Sequence, residues 1–416
     1  MELPHLLVAD DQDNFIEIPH LLLSGMSFIR PVLPGSPDLI PLPKRSHLRK
    51  LPGRVALGYD PLLEKFVPIR EYHGKTVYPV SAVLPRGYLQ LLRSAYSTLL
   101  EAPRLPAYHF TAVGIKDGQI YCAALPTNAE QVMSHHEDKE LLIRERIIAL
   151  KKQFPRNRLI HYFVNHYKRF PDCPNALRFI LREGEVHISP EFEESTPCGD
   201  CLPEDRLSQA NPVSRRLRLQ ESDVIEAAVE HLQNSALPAI RFSMPKNGKD
   251  SDITRKNSMD WVRGLREIRE SSDRGTIVFY NWKEDRQFIE TIIEAGVSSV
   301  IFPVNSFQPK FFDVFHQPDH YRFDELQVSV RSALSGGIDT RLEYGCFPGL
   351  TNHPDENQAF LEFVDEYPVN DVILQNLEVD PDWYIDELEL FHLSRHHKTL
   401  RTCLEEMRDR VPVLSI

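Results

Sequence analysis

Hydrophobic and polar positions change their rhythm about halfway along this chain. Before residue 126, short alternating runs dominate. Leu6-Leu7-Val8-Ala9-Asp10-Asp11 leads through a polar turn into Asn14-Phe15-Ile16-Glu17-Ile18, and Val55 to Asp60 and Thr111 to Ile115 follow the same pattern. Asp117-Gly118 before Gln119-Ile120-Tyr121 is a hairpin signal, because both residues tolerate the positive φ of a tight turn. The apolar spacing between Tyr88 and Leu100 predicts one helix within this β-rich region. A helical stretch is predicted next, from Glu130 to about Lys168. Leu141, Leu142, Ile143, Ile147, Ile148 and Leu150 form its stripe, Pro155 breaks it, and Leu159 to Tyr167 continue it. Arg182 to Glu194 reads as a polar link.

Beyond Leu217, helical stripes alternate with nearly continuous apolar runs, as expected of parallel strands buried on both faces. The predicted strands are Ala239–Phe242, Thr276–Tyr280, Ser299–Val304, Asp339–Tyr344 and Asp371–Gln375. The helices between them are Glu221–Leu232, Met259–Ile268, Arg286–Ala295, Phe323–Ser335 and Asn357–Tyr367, with Leu390–Met407 at the end. The predicted fold is therefore α/β, a partial βα barrel carrying an N-terminal β-rich domain. Its expected divisions are 1–128 (β-rich), 129–195 (helical linker), 196–389 (barrel) and 390–416 (terminal helix).

Composition narrows the function classes. The 416 residues are 42% hydrophobic and 26% charged, ordinary for a globular protein, and the formal charge is −12. That balance argues against nucleic acid as main partner. The one basic run, Lys44 to Lys50, reads as a solvated loop. No apolar run reaches membrane-spanning length and Met1-Glu2-Leu3-Pro4 does not start a signal peptide, so a cytoplasmic protein is expected. The six cysteines are scattered except for Cys198 and Cys201, which suits free thiols or a metal knuckle.

Candidate chemistry follows the strands, since barrel sites form where strands end and loops begin on the carboxyl face. Asn281-Trp282, Asn305-Ser306, Phe347-Pro348-Gly349-Leu350-Thr351 and Asn376 to Tyr384 occupy such places. Asp380 and Asp382 can either meet a polar ligand or begin a helix, because Asp before Pro is a common helix start. His135-His136 and His396-His397 read as helix surface, since adjacent helical residues face different ways.

Ile301 to Phe323, Cys346 to Thr351, Gln375 to Tyr384 and Cys198-Gly199-Asp200-Cys201 resemble segments of radical S-adenosylmethionine (radical SAM) proteins, in particular a bacterial group with an N-terminal extension. The resemblance implies a partial βα barrel, a 4Fe-4S cluster held by a C-x3-C-x2-C triplet, and bound S-adenosylmethionine. It implies that Cys198 and Cys201 are cluster ligands, that Asn281, Asn305 and Ser306 face the cofactor, and that Asp380 and Asp382 lie at the substrate mouth. The triplet is incomplete, because Glu194 stands where the first cysteine belongs. Two thiolates under-ligate a cluster whose irons prefer sulfur. The family's glycine-rich turn is reduced to Gly248 within Met244-Pro245-Lys246-Asn247-Gly248. Cluster and cofactor binding are accordingly expected to be weakened or lost, leaving a binding or regulatory protein that works beside another protein, such as an intact relative. An active enzyme with an unorthodox third ligand is one alternative, and a zinc knuckle completed by His166, His187 or a second chain is the other.

Overall fold

The computed structural model describes residues 2–126, 139–193, 216–243, 251–281, 285–316, 321–393, 398–412 and 414–415. Cys198, Cys201, Glu194, the turn 244–250, Trp282 and both histidine pairs lie outside them.

Strands up to Gln119–Pro126 form one antiparallel system. His5–Asp10 lies at its centre, paired with Phe15–Leu22, Lys75–Val83 and Thr111–Lys116. The turn at 10–14 closes on the Asp10 carboxylate, which accepts from the amides of Gln12 and Asn14 at 3.0 Å and from Lys75 at 2.9 Å. The predicted hairpin at Asp117-Gly118 forms, with φ of 51° and 75°.

Two expectations for this region are corrected. The basic run is not a loop: His47–Lys50 is a strand paired with Val80–Val83, and Lys50 meets Asp13 at 2.8 Å. Tyr88 to Leu100 is not a helix either. It forms three short strands, Tyr88–Gln90, Arg93–Ser94 and Tyr96–Thr98. Leu89, Gln90, Leu91, Arg93 and Ser94 are all buried, so this segment is covered on both faces. Pairing with distant chain then outweighs local helical spacing, as strand propensity generally follows context.

Three helices follow: Glu140–Gln153, Arg158–Arg169 and Pro174–Leu181. The stripe expected on the first is inverted in part: Ile143 and Leu150 are buried, while Leu141, Leu142 and Ile148 face outward. Asn157 begins the second helix by accepting from the Ile160 amide, a side-chain cap that satisfies an orphan donor.

The remainder is a seven-stranded parallel sheet whose strands lie in chain order: Glu185–Ile188, Ala239–Ser243, Thr276–Tyr280, Ser299–Val304, Asp339–Cys346, Asp371–Asn376 and Leu414–Ser415. The polar link expected over Arg182–Glu194 is therefore the first strand of this sheet. Within Leu390–Met407, expected as one helix, the described residues contain a short turn at Leu390–His392 and a helix that begins at Leu400 and runs to Arg408.

Side chains alternate along each strand. Ile240 and Phe242, Ile277 and Phe279, Val300 and Phe302, Leu342 and Tyr344, and Val372 and Leu374 join one large core with the crossover helices. Val278, Tyr280, Ile301 and Ile373 form a separate small cluster on the opposite face. With the described crossover helices all on one face, the opposite face is the interior of an open barrel. The partial βα barrel expected from the sequence is present.

The N-terminal sheet sits against the carboxyl ends of the later strands. Asn376, at the end of its strand, accepts from the Gln90 amide at 2.7 Å and donates to the Tyr88 carbonyl at 2.9 Å. The Phe28 amide donates to the Pro348 carbonyl at 3.0 Å. Gly349 next to it has φ of 104°, and a Cβ there would lie 2.1 Å from the Phe28 nitrogen. Only glycine permits that approach.

Candidate functional site

The inner face of the barrel holds an unusual number of polar side chains. On the first strand, Val186 and Ile188 face the helices, so Glu185 and His187 face inward. By the same alternation Arg241 and Ser243 face inward on the second strand, Tyr280 on the third, and Glu343 on the fifth. Parallel pairing sets His187 beside Arg241, and Val278 beside Arg241 from the other side. These residues come from positions 185 to 343, and strand register alone brings them together.

They make a connected set. The Arg241 guanidinium reaches Glu185 at 2.7 Å and Glu343 at 3.7 Å. Tyr280 donates its hydroxyl proton to Glu343. Burial, and then the neighbouring Glu343 charge, raises the Tyr280 hydroxyl well above its ordinary range, so it stays a donor. His187 Nε2 lies 2.6 Å from the Ser243 hydroxyl. Glu343 is only 6% exposed. Burying a carboxylate this deeply costs free energy unless donors surround it, and Tyr280 and Arg241 do so. The arrangement offers both signs of charge, a phenol, an imidazole and a hydroxyl on one concave wall.

The expected site residues fall elsewhere in part. Asn281 is 1% exposed and directly follows the third strand, where its amide donates to Ile301 at 2.8 Å. Asn305 is buried, donates to the Tyr384 hydroxyl at 3.1 Å, and has no hydrogen-bond partner for its side-chain oxygen among the described residues. Ser306 donates at 2.6 Å to Glu356, a fully buried carboxylate that also accepts from the Phe307 amide at 2.7 Å and from Tyr344 at 2.9 Å. Burial pushes the Glu356 carboxyl up from its ordinary range, against these stabilising hydrogen bonds. Ser306 thus fastens the loop after the fourth strand.

Asp380 and Asp382 are committed to the N-terminal domain. Asp380 caps the helix Pro381–Glu387 through the Asp382 amide and accepts from the Leu105 amide at 2.8 Å. Asp382 accepts from Arg54 at 2.6 and 3.1 Å and from Thr98 at 3.0 Å, with the Tyr96 hydroxyl at 3.3 Å. Of the two roles the sequence left open, helix start is the one Asp380 performs. Glu185, Arg241, Ser243, Tyr280 and Glu343 were missed, and His187 was noticed only as a candidate zinc ligand. The available signal was a charged or polar residue at alternate positions within otherwise apolar strands.

The described residues add little to a cluster donor set. Cys122, Cys173, Cys346 and Cys403 are buried. Burial pushes the Cys122 and Cys403 thiols up to about 12, whereas cluster ligands must be thiolates. No group of three metal-binding side chains occurs among the described residues. His166 is buried and stacked on Tyr162, and His187 Nε2 lies beside the Ser243 hydroxyl. No helix among the described residues is long and apolar enough to cross a membrane.

No protein-family model matches the chain, and no curated protein does either. Among solved structures, it is similar to TsrM from Kitasatospora setae, a radical S-adenosylmethionine methyltransferase with tryptophan substrate and a SAM analogue bound. Identity is 16% over 48% of this chain and 37% of TsrM, with a TM-score of 0.34. Methylornithine synthase, PylB, is 10% identical over 60% of this chain and 77% of its own, with a TM-score of 0.36. HydG, a maturase of the FeFe-hydrogenase, is 12% identical over 68% of this chain and 72% of its own, with a TM-score of 0.35.

Proposed function

We propose that this chain is a radical SAM-like barrel whose cluster and S-adenosylmethionine centre is degenerate, and that it acts as a small-molecule-binding or regulatory protein. The observation that carries the reading is the donor set. Glu194 replaces the first cysteine of the triplet, and the four cysteines outside Cys198–Cys201 are buried. An iron–sulfur centre selects for thiolate, and a single carboxylate is a poor replacement. In the family reading, Asn281, Asn305 and Ser306 face the remnant of the cofactor pocket. The polar inner wall supports retained ligand binding, because buried charges without a role are costly to keep. A second protein, such as an intact relative, is the proposed partner.

Anaerobic reconstitution with iron and sulfide tests this. The expected product is colourless and free of iron, and its melting temperature does not rise with S-adenosylmethionine. A brown protein with about four irons per chain, lost in Cys198→Ala and Cys201→Ala, would establish the active-enzyme alternative instead. Stoichiometric zinc released by the same substitutions would establish the zinc knuckle.

A further inference from the structure

We propose that Ser243 and His187 form a nucleophile–base pair that cleaves small polar esters on the inner face of the barrel. The pair stands on geometry independent of any cluster. Ser243 ends the second strand and His187 lies near the end of the first, on adjacent parallel strands whose Ile188 and Phe242 are directly paired. Both side chains face the interior at the carboxyl end, the functional end of such barrels. His187 Nε2 and Ser243 Oγ are 2.6 Å apart, within the range a general base needs to accept a hydroxyl proton.

The mounting of the base is firm. The Asn175 side chain holds both main-chain groups of His187, donating to its carbonyl at 3.0 Å and accepting from its amide at 2.7 Å. Asn175 is itself 4% exposed, within the helix Pro174–Leu181. Ser243 is 7% exposed, which keeps bulk water from competing for its hydroxyl. A donor for developing negative charge stands on the same strand and face. Arg241, two residues before Ser243, has a buried Nε–H with no hydrogen-bond partner among the described residues, while its terminal nitrogens engage Glu185 and Glu343. A preorganised, water-poor donor of this kind is what stabilises an oxyanion.

In the reaction, the Ser243 oxygen forms a bond to the ester carbonyl carbon as its proton passes to His187 Nε2. The carbon–oxygen bond to the alcohol then breaks, and the alcohol leaves with that proton. A water molecule, deprotonated by the same nitrogen, displaces the acid from the acyl-serine and restores both residues. Water is the sole co-reactant. The Arg241, Tyr280 and Glu343 groups favour a small polar acyl group over a long hydrocarbon one.

The test uses the full-length protein with a biotinylated fluorophosphonate and with p-nitrophenyl acetate. The expected result is a phosphonyl adduct on Ser243, absent in Ser243→Ala and formed about 100-fold or more slowly in His187→Gln. Because the alanine variant can fail for reasons of folding, Ser243→Cys provides a second measurement. Its thiol should be alkylated by iodoacetamide rapidly with His187 present and slowly with His187→Gln. Absence of a Ser243 adduct on folded wild-type protein, or rates indifferent to His187→Gln, would overturn the proposal whatever the reconstitution shows.

Discussion

Replacing Asp382 with alanine should release the N-terminal domain from the barrel, and its magnitude can be worked from the structure. The Arg54 side chain is 2% exposed and that of Asp382 is 26% exposed. Arg54 donates to Asp382 at 2.6 and 3.1 Å and to the carbonyls of Pro52 and Pro103 at 3.0 Å, and its guanidinium lies 5.5 Å from the Tyr96 ring centre. Truncating one partner of a fully buried pair costs about 3–5 kcal/mol, because the other charge is stranded. Here two carbonyls and an aromatic face still serve Arg54, and Asp382 is part-exposed, so about 2–3 kcal/mol is expected.

Urea denaturation should show that loss, and amide exchange should accelerate in both Arg54–Asp60 and Tyr96–Thr98. A double-mutant cycle with Arg54→Ala separates the pair from the rest: its coupling should exceed about 1 kcal/mol. If Asp382→Ala changes stability by under about 0.5 kcal/mol, or exchange stays unaltered in both strands, the reasoning about a stranded charge is refuted.

Three further outcomes follow from the same geometry. Gly349→Ala should cost at least about 2 kcal/mol, since φ of 104° and a Cβ against the Phe28 main chain cannot both be kept; retained protection of the Phe28 amide would contradict this. Glu356 has a folded-state pKa raised above its unfolded value, so its proton linkage favours the fold below the ordinary carboxyl range and loses that contribution as pH rises through the raised value. Melting curves of wild type and Glu356→Gln should therefore converge or cross as pH rises from about 4.5, and parallel curves would sink the assignment. Native alkylation with iodoacetamide, read by peptide mass, should leave Cys122, Cys173, Cys346 and Cys403 unmodified until denaturant is added, given their burial; rapid native modification of Cys346 would show that the strand it ends is not packed as described.

Much of the barrel was legible because its strands are apolar on the helix side and bounded by clear helical stripes. Thr276–Tyr280 and Ser299–Val304 are nearly continuous hydrophobic runs, and their helices carry strong stops such as Gly296 and Gly336-Gly337. The first strand was misread for the same reason that it matters. Glu185 and His187 alternate with Val186 and Ile188, so half its residues advertise solvent while facing the barrel interior. The Tyr88–Leu100 error has a different origin: its pairings, such as Tyr88 with Pro126, are to distant chain that local periodicity cannot report. The site itself was invisible because its contacts join distant residues, His187 to Ser243 across 56 positions and Tyr280 to Glu343 across 63. Asp380 and Asp382 stand out in the sequence, but their partners Leu105 and Arg54 belong to the other half of the chain.

These placements divide the carboxyl face in two. On the later strands, Pro348, Asn376, Asp380 and Asp382 all direct their hydrogen-bonding groups to the N-terminal sheet. A carboxylate already accepting from an arginine and a threonine has little capacity left for a ligand, so that half of the rim serves attachment. Across the inner face, side chains of Glu185, His187, Arg241, Ser243, Tyr280 and Glu343 contact one another through Arg241–Glu185, His187–Ser243 and Tyr280–Glu343. A ligand can exchange with such contacts at small cost, because each hydrogen bond lost to a neighbour is replaced by one to the ligand. In the proposed reading, the wall built by the first, second, third and fifth strands takes the ligand, and the N-terminal domain holds the later strand ends in place. That assignment makes a sharp contrast between variants: Arg241→Met should abolish ligand binding while leaving domain attachment intact, and Asp382→Ala should do the reverse.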